Sequence, residues 1–162
     1  MKFIFLKPLC LALFLTFLTL LLAIQLHDIR VASQASEAII NNAPKVDWQM
    51  NTRQTVDFKG DGSVSYSMIG YKANIVTVGV QTPYRKEPYF LCFDIDPNVQ
   101  AAICSKPATL TTEKLNCQPF EEELLGCNPL PDSRGLVLYG GECDGIRIYW
   151  NSITQDVQWW RR

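Results

Sequence analysis

The sequence predicts an α+β protein: an N-terminal membrane-inserting helix that continues as a stalk, then a small antiparallel β-sheet domain with a disulfide-tied loop. Three observations predict it. Residues 8–24 form an uncharged run rich in Leu and Phe, the period of the pattern changes from helical to two near Val46, and five of the six cysteines fall beyond residue 90. The 162 residues divide accordingly into a transmembrane or signal-anchor segment at 1–30, a helical stalk at 31–44 and an extracytoplasmic β-rich domain at 45–162. Roughly 120 residues suffice for a core without metals or dense cross-linking.

The apolar run is longer than the core of a usual signal peptide, about 7–15 residues, and at the short edge of a spanning helix, about 17–25. Its flank reads Ile24-Gln25-Leu26-His27-Asp28-Ile29-Arg30, without the pair of small residues a signal peptidase needs. An uncleaved anchor is expected, with secretion after cleavage as the alternative. Lys2 and Lys7 precede the run, whereas Arg30 behind it is offset by Asp28. That bias places the N-terminus in the cytoplasm and the domain in the periplasm or outside the cell.

Beyond the run, Leu26, Ile29, Ala32, Ser36 and Ile39 recur at spacings of three and four until Asn41-Asn42-Ala43-Pro44 stops the helix. Residues 9–41 would then make one rod of about 50 Å at 1.5 Å per residue. Ala32, Ala35 and Ile39 are the positions through which such a stalk would meet partner helices.

Strands follow. Val64, Tyr66 and Met68 alternate with serines, and Val76, Val78 and Val80 alternate with Ile75, Thr77 and Gly79. Lys59-Gly60-Asp61-Gly62 reads as the turn of a hairpin joining 55–58 to 63–68, its glycines supplying positive backbone angles. Residues 89–95 are apolar on both faces and read as a central strand. The stretch 106–134, with four prolines, reads as a long loop with a helical turn or two at 120–125; loops of that length are uncommon unless tied down or functional. Strands return at 136–139, 146–151 and 157–160, the last two as a hairpin.

An exported domain is an oxidising setting for Cys92, Cys104, Cys117, Cys127 and Cys143. Neighbours in sequence, Cys92 with Cys104 and Cys117 with Cys127, are the first expectation for pairing, and Cys127 with Cys143 rivals the second. Zinc is disfavoured because no pair has knuckle spacing and the single histidine, His27, lies at the membrane edge. No cofactor is expected.

Removing Lys2, Lys7, Arg30 and Asp28 from 15 basic and 16 acidic residues leaves 12 and 15 in the remainder, a surface poorly suited to nucleic acid. His27 is too remote from every serine of the domain to build a Ser-His-Asp site. Asp94 and Asp96 share a strand face, but Asp96 before Pro97-Asn98 is ordinary turn chemistry. Gly140-Gly141-Glu142-Cys143-Asp144-Gly145 leads into a strand instead of the helix that a phosphate-cradling loop requires. The aromatic cluster Tyr149, Trp150, Trp159 and Trp160 stands out, since alternation sends neighbours to opposite faces of the hairpin. Exposed Trp and Tyr suit a protein interface or stacking on sugar rings.

A membrane-inserting helix, an exported stalk and an antiparallel domain with a cysteine-bounded loop resemble the layout of type IV pilins and pseudopilins. Lys7-Pro8-Leu9-Cys10-Leu11 supplies neither the glycine nor the glutamate of that family's processing site, so the likeness is one of layout. The expected function is that of a non-enzymatic, membrane-anchored assembly or interaction component of the cell envelope, in contact with the membrane through residues 8–24 and with an envelope protein partner. A pilin-like filament or secretion-system subunit is one alternative; a tethered or secreted carbohydrate-binding domain using exposed Trp is another.

Overall fold

The structure, a computed structural model, describes residues 6–119 and 123–161, with side chains from residue 13 onward. The helical turn expected at 120–125 falls partly outside these residues. One helix, α1 (Leu6–Asn42), precedes eight strands: β1 (Asp47–Val56), β2 (Ser65–Lys72), β3 (Ile75–Gln81), β4 (Tyr89–Asp94), β5 (Ala108–Lys114), β6 (Arg134–Gly140), β7 (Ile146–Asn151) and β8 (Asp156–Trp160). By its contacts the chain divides into two units, with the boundary after Ala35.

In the first unit residues 13–24 of the helix are apolar and exposed, with Phe14 62%, Phe17 60% and Leu20 58% accessible. It is long and apolar enough to cross a membrane.

The second unit begins with the end of α1. The Ala43 amide donates to the Ile39 and Ile40 carbonyls, the Asn42 side chain donates to the Ala38 carbonyl, and Pro44 forbids another turn. The strands then form two antiparallel four-stranded sheets, ordered β1-β2-β3-β4 and β5-β6-β7-β8, each running in chain order. Their inner faces share one core, to which Ile69, Val76, Val78, Val80 and Phe93 contribute from the first sheet and Leu110, Leu136, Leu138, Ile146, Ile148 and Trp150 from the second. Each fully buried Val, Leu or Ile contributes about 1.5–3 kcal/mol. The α+β class read from the sequence is the class observed.

Four details differ from the sequence reading. Residues 108–114, expected to be loop, form edge strand β5, which alternates buried Ala108 and Leu110 against exposed Thr109 and Thr111. Strand β4 pairs only with β3 and is an edge, not a central strand. Its outward Phe90 is shielded by Trp48, with ring centroids 6.1 Å apart, which is why both of its faces read as apolar. The strand expected from residue 63 begins at Ser65 as β2, leaving Val64 ahead of it and 42% exposed, and its serines face the shared core, Ser67 pairing with Val80 and Ile69 with Val78.

The fourth concerns the cysteines. Cys117 pairs with Cys127 as the spacing favoured, but Cys104 pairs with Cys143, 39 residues on, instead of Cys92 with Cys104. The Cys104 amide donates to the Gly140 carbonyl at 2.9 Å, bringing it beside the turn that carries Cys143. Cys92 is the free and exposed thiol among the described residues.

Candidate functional site

The β7–β8 hairpin carries the aromatic cluster, and its two faces meet different surroundings. Trp150, opposite Val157, faces the shared core and is 5% exposed, with Tyr84 at 5.2 Å and Tyr89 edge-on at 6.2 Å. Tyr149, on the other face, is buried against the Cys117–Cys127 bridge, with Leu115, Leu124 and Trp160 packed around that cluster. Trp159 is 39% exposed and edge-on to Phe93 at 5.3 Å, and Trp160 is half-buried with the Arg147 guanidinium 4.9 Å from its ring. The hairpin therefore offers no row of open aromatic faces.

On the helix, Ile39 is 1% exposed and Ala35 6%, whereas Ala32 is half-buried. The chain's own first sheet covers Ile39, so it is unavailable to a partner helix. Asp94 is exposed, and Asp96 accepts from the Asn98 amide at 2.9 Å and its side chain at 3.0 Å, which is turn chemistry.

The concavity of interest lies where three loops meet near Trp150. It holds about 260 Å³ and is lined by Phe58 and Trp150 as apolar walls, Lys59 and Asp61 from the first turn, Asn128 and Leu130 from the cysteine loop, and Ser152 and Gln155 from the last turn. Loops positioned by a rigid scaffold are where binding residues concentrate.

Each loop is fixed by local chemistry. In the first, the Asp57 carboxylate accepts from the Gly60 and Gly62 amides, both at 2.7 Å, and those glycines adopt φ of 70° and 85°. In the second, Ser133 holds the chain by accepting at Oγ from the Leu130 amide at 2.8 Å while its own amide donates to the Leu130 carbonyl. In the third, Asn151 Oδ1 accepts from the Ile153 and Thr154 amides at 2.9 and 3.0 Å.

The loops are also joined to one another. The Arg134 amide donates to the Asp57 carbonyl at 2.9 Å, and Gly60 approaches Ser133 so closely that a Cβ there would lie 2.7 Å from its nitrogen. The Ser152 amide donates to the Gly126 carbonyl at 2.7 Å, and Asn151 Nδ2 donates to the Leu125 carbonyl at 3.0 Å. The Cys117–Cys127 bridge fixes the residue before Asn128. Such mutual support is what holds a site in one geometry.

Electrostatically the lip is balanced. Lys59 Nζ lies 3.4 Å from the Tyr84 ring centroid and 4.9 Å from that of Trp150. The Ser63 amide donates to Asp61 at 2.9 Å and holds its carboxyl below the ordinary carboxylate range. Burial pushes the Tyr84 phenol up. The Trp150 indole N–H is buried without an acceptor, one of a few such atoms among the described residues. The sequence signalled this site through its turn chemistry at 59–62, the cysteine-bounded loop and Trp150 of the aromatic cluster; Asn128 and Gln155 carried no sign.

Compared with protein-family models, curated proteins and solved structures, the chain matches none of them.

Proposed function

We propose that the chain is a non-enzymatic interaction or assembly component of the cell envelope, anchored by α1 with its disulfide-braced domain on the oxidising side of the membrane. The observation that carries this reading is the exposed surface of residues 13–24, uncharged and apolar on all sides of the helix but for Thr16 and Thr19. A helix apolar all round belongs in lipid or in a large protein interior. The two disulfides support an extracytoplasmic domain, since such bonds persist in oxidising compartments.

Alkaline extraction of membranes tests the anchor, and protease added to cells whose outer envelope has been opened while the anchoring membrane stays intact tests the side. The full chain remaining in the pellet, with its domain accessible to protease, is the expected result. Release of the domain into the supernatant, or protection from protease until the membrane is opened, contradicts it. Gentle solubilisation with crosslinking then tests assembly: defined complexes support the reading, and a monodisperse monomer opposes it.

A further inference from the structure

The cavity beside Trp150 has a chemistry that the anchor does not use. We propose that it binds one neutral, hydroxyl-rich ring, a single sugar residue either free or within a longer glycan. Its volume of about 260 Å³ lies just under the 300–1,000 Å³ usual for pockets that take drug-sized ligands, which leaves room for one ring.

Charge selects the class. Lys59 and Asp61 share one lip, so an anion meets the Asp61 carboxylate and a cation meets the Lys59 ammonium. A neutral diol satisfies both, donating one hydroxyl proton to Asp61 and accepting from Lys59 with the other oxygen. The Ser63 amide donates to Asp61 Oδ1, and the Ser63 hydroxyl and Tyr84 phenol also interact with this carboxylate, so a ligand hydroxyl would share its several acceptor positions with them. Asn128 and Gln155 add amides that both donate and accept, matching hydroxyls that do the same. Phe58 and Trp150, 2% and 5% exposed, contribute a small apolar edge at the cavity floor, and Leu130, 48% exposed, adds apolar surface for the C–H face of a ring. Because all three loops are tied, little ordering is left to occur on binding, which favours affinity from few contacts.

The test uses the full chain in a sugar-free detergent, titrated with free hexoses and N-acetylhexosamines and with their linear oligomers. Binding is followed by Trp fluorescence and by saturation transfer to the sugar protons. Saturable binding is expected, weakened about tenfold or more by Asp61→Asn or Lys59→Met, as loss of a charged hydrogen-bond partner implies, and unchanged by Trp159→Phe. In the unmutated chain, bound sugar should protect Lys59 from amine acylation, a readout independent of how the variants fold. Equal affinity for monosaccharide and oligomer points to a free sugar, and tighter binding of the oligomer to a glycan unit. Absence of saturable binding across the panel overturns the proposal. So does binding that leaves Lys59 fully reactive, or that Trp159→Phe abolishes while the lip variants leave it intact.

Discussion

Ile39 occupies the space that a side chain at position 79 would need: a Cβ on Gly79 would lie 2.5 Å from Ile39 Cγ2 and 2.9 Å from the Trp48 ring. The end of α1 thus rests on bare backbone in the middle of β3. Glycine ordinarily weakens a strand, and here it permits the close approach. Gly79→Val should destabilise the domain by about 1–3 kcal/mol through overpacking. Gly62, with nothing within 4 Å of its virtual Cβ and φ of 85°, is the control. Gly62→Ala should cost only about 1 kcal/mol of backbone strain. Denaturant midpoints of the two variants check the ordering.

The two disulfides should differ in weight. In the chain-entropy description the Cys104–Cys143 bridge, spanning 39 residues, contributes about 4 kcal/mol, against about 3 kcal/mol for Cys117–Cys127, spanning 10. Replacing Cys104 and Cys143 together by Ser should therefore lower global stability more than replacing Cys117 and Cys127. The second pair of changes should instead free the loop that holds Leu125 and Gly126, seen as faster amide exchange at Ser152, which donates to Gly126.

Cys92 lies on the outer face of β4, exposed, with Thr77 Oγ1 3.6 Å from its sulfur. A thiol reagent applied to the native, unreduced chain should label Cys92 and leave Cys104, Cys117, Cys127 and Cys143 unlabelled. Peptide mapping of the alkylated protein checks the assignment, and label on Cys104 or Cys143 contradicts the pairing.

Tyr149 should set part of the alkaline limit. Burial pushes its phenol up, with a hydrogen bond from Asn151 partly opposing. The neutral form is thus favoured in the folded state, so its contribution is intact below the unfolded value of about 10 and declines as pH rises through the higher folded value. Tyr149→Phe should flatten the loss of stability above about pH 10 relative to the unmutated chain. Denaturation curves at a series of alkaline pH values check the difference.

The elements legible in the sequence were those fixed by local chemistry. The stop at Asn42-Ala43-Pro44, the turn at 59–62 and the hairpin of β7 and β8 all follow from residues within a few positions of one another. What depended on distant packing was not legible. The serines of β2 face the shared core because the opposite face, with Met68 fully buried, is covered as well. Alternation alone cannot distinguish which face is inward once both are covered. Strand β5 offers one large apolar residue, Leu110, between prolines and threonines. The Cys104–Cys143 bond requires the crossing from the first sheet to the second before its partners meet. The cavity draws its walls from residues near 60, 128 and 155, and no pattern within any one of those segments announces the others.

The most direct test of a membrane-anchored, oxidised domain is the intact mass of the native protein, unreduced and after thiol alkylation, in membrane and soluble fractions of the cells that make it. The expected result is a full-length chain in the membrane fraction with two disulfides and Cys92 alkylated. A soluble species lacking about 33–35 N-terminal residues would show the helix to be a discarded signal, and would contradict the anchor.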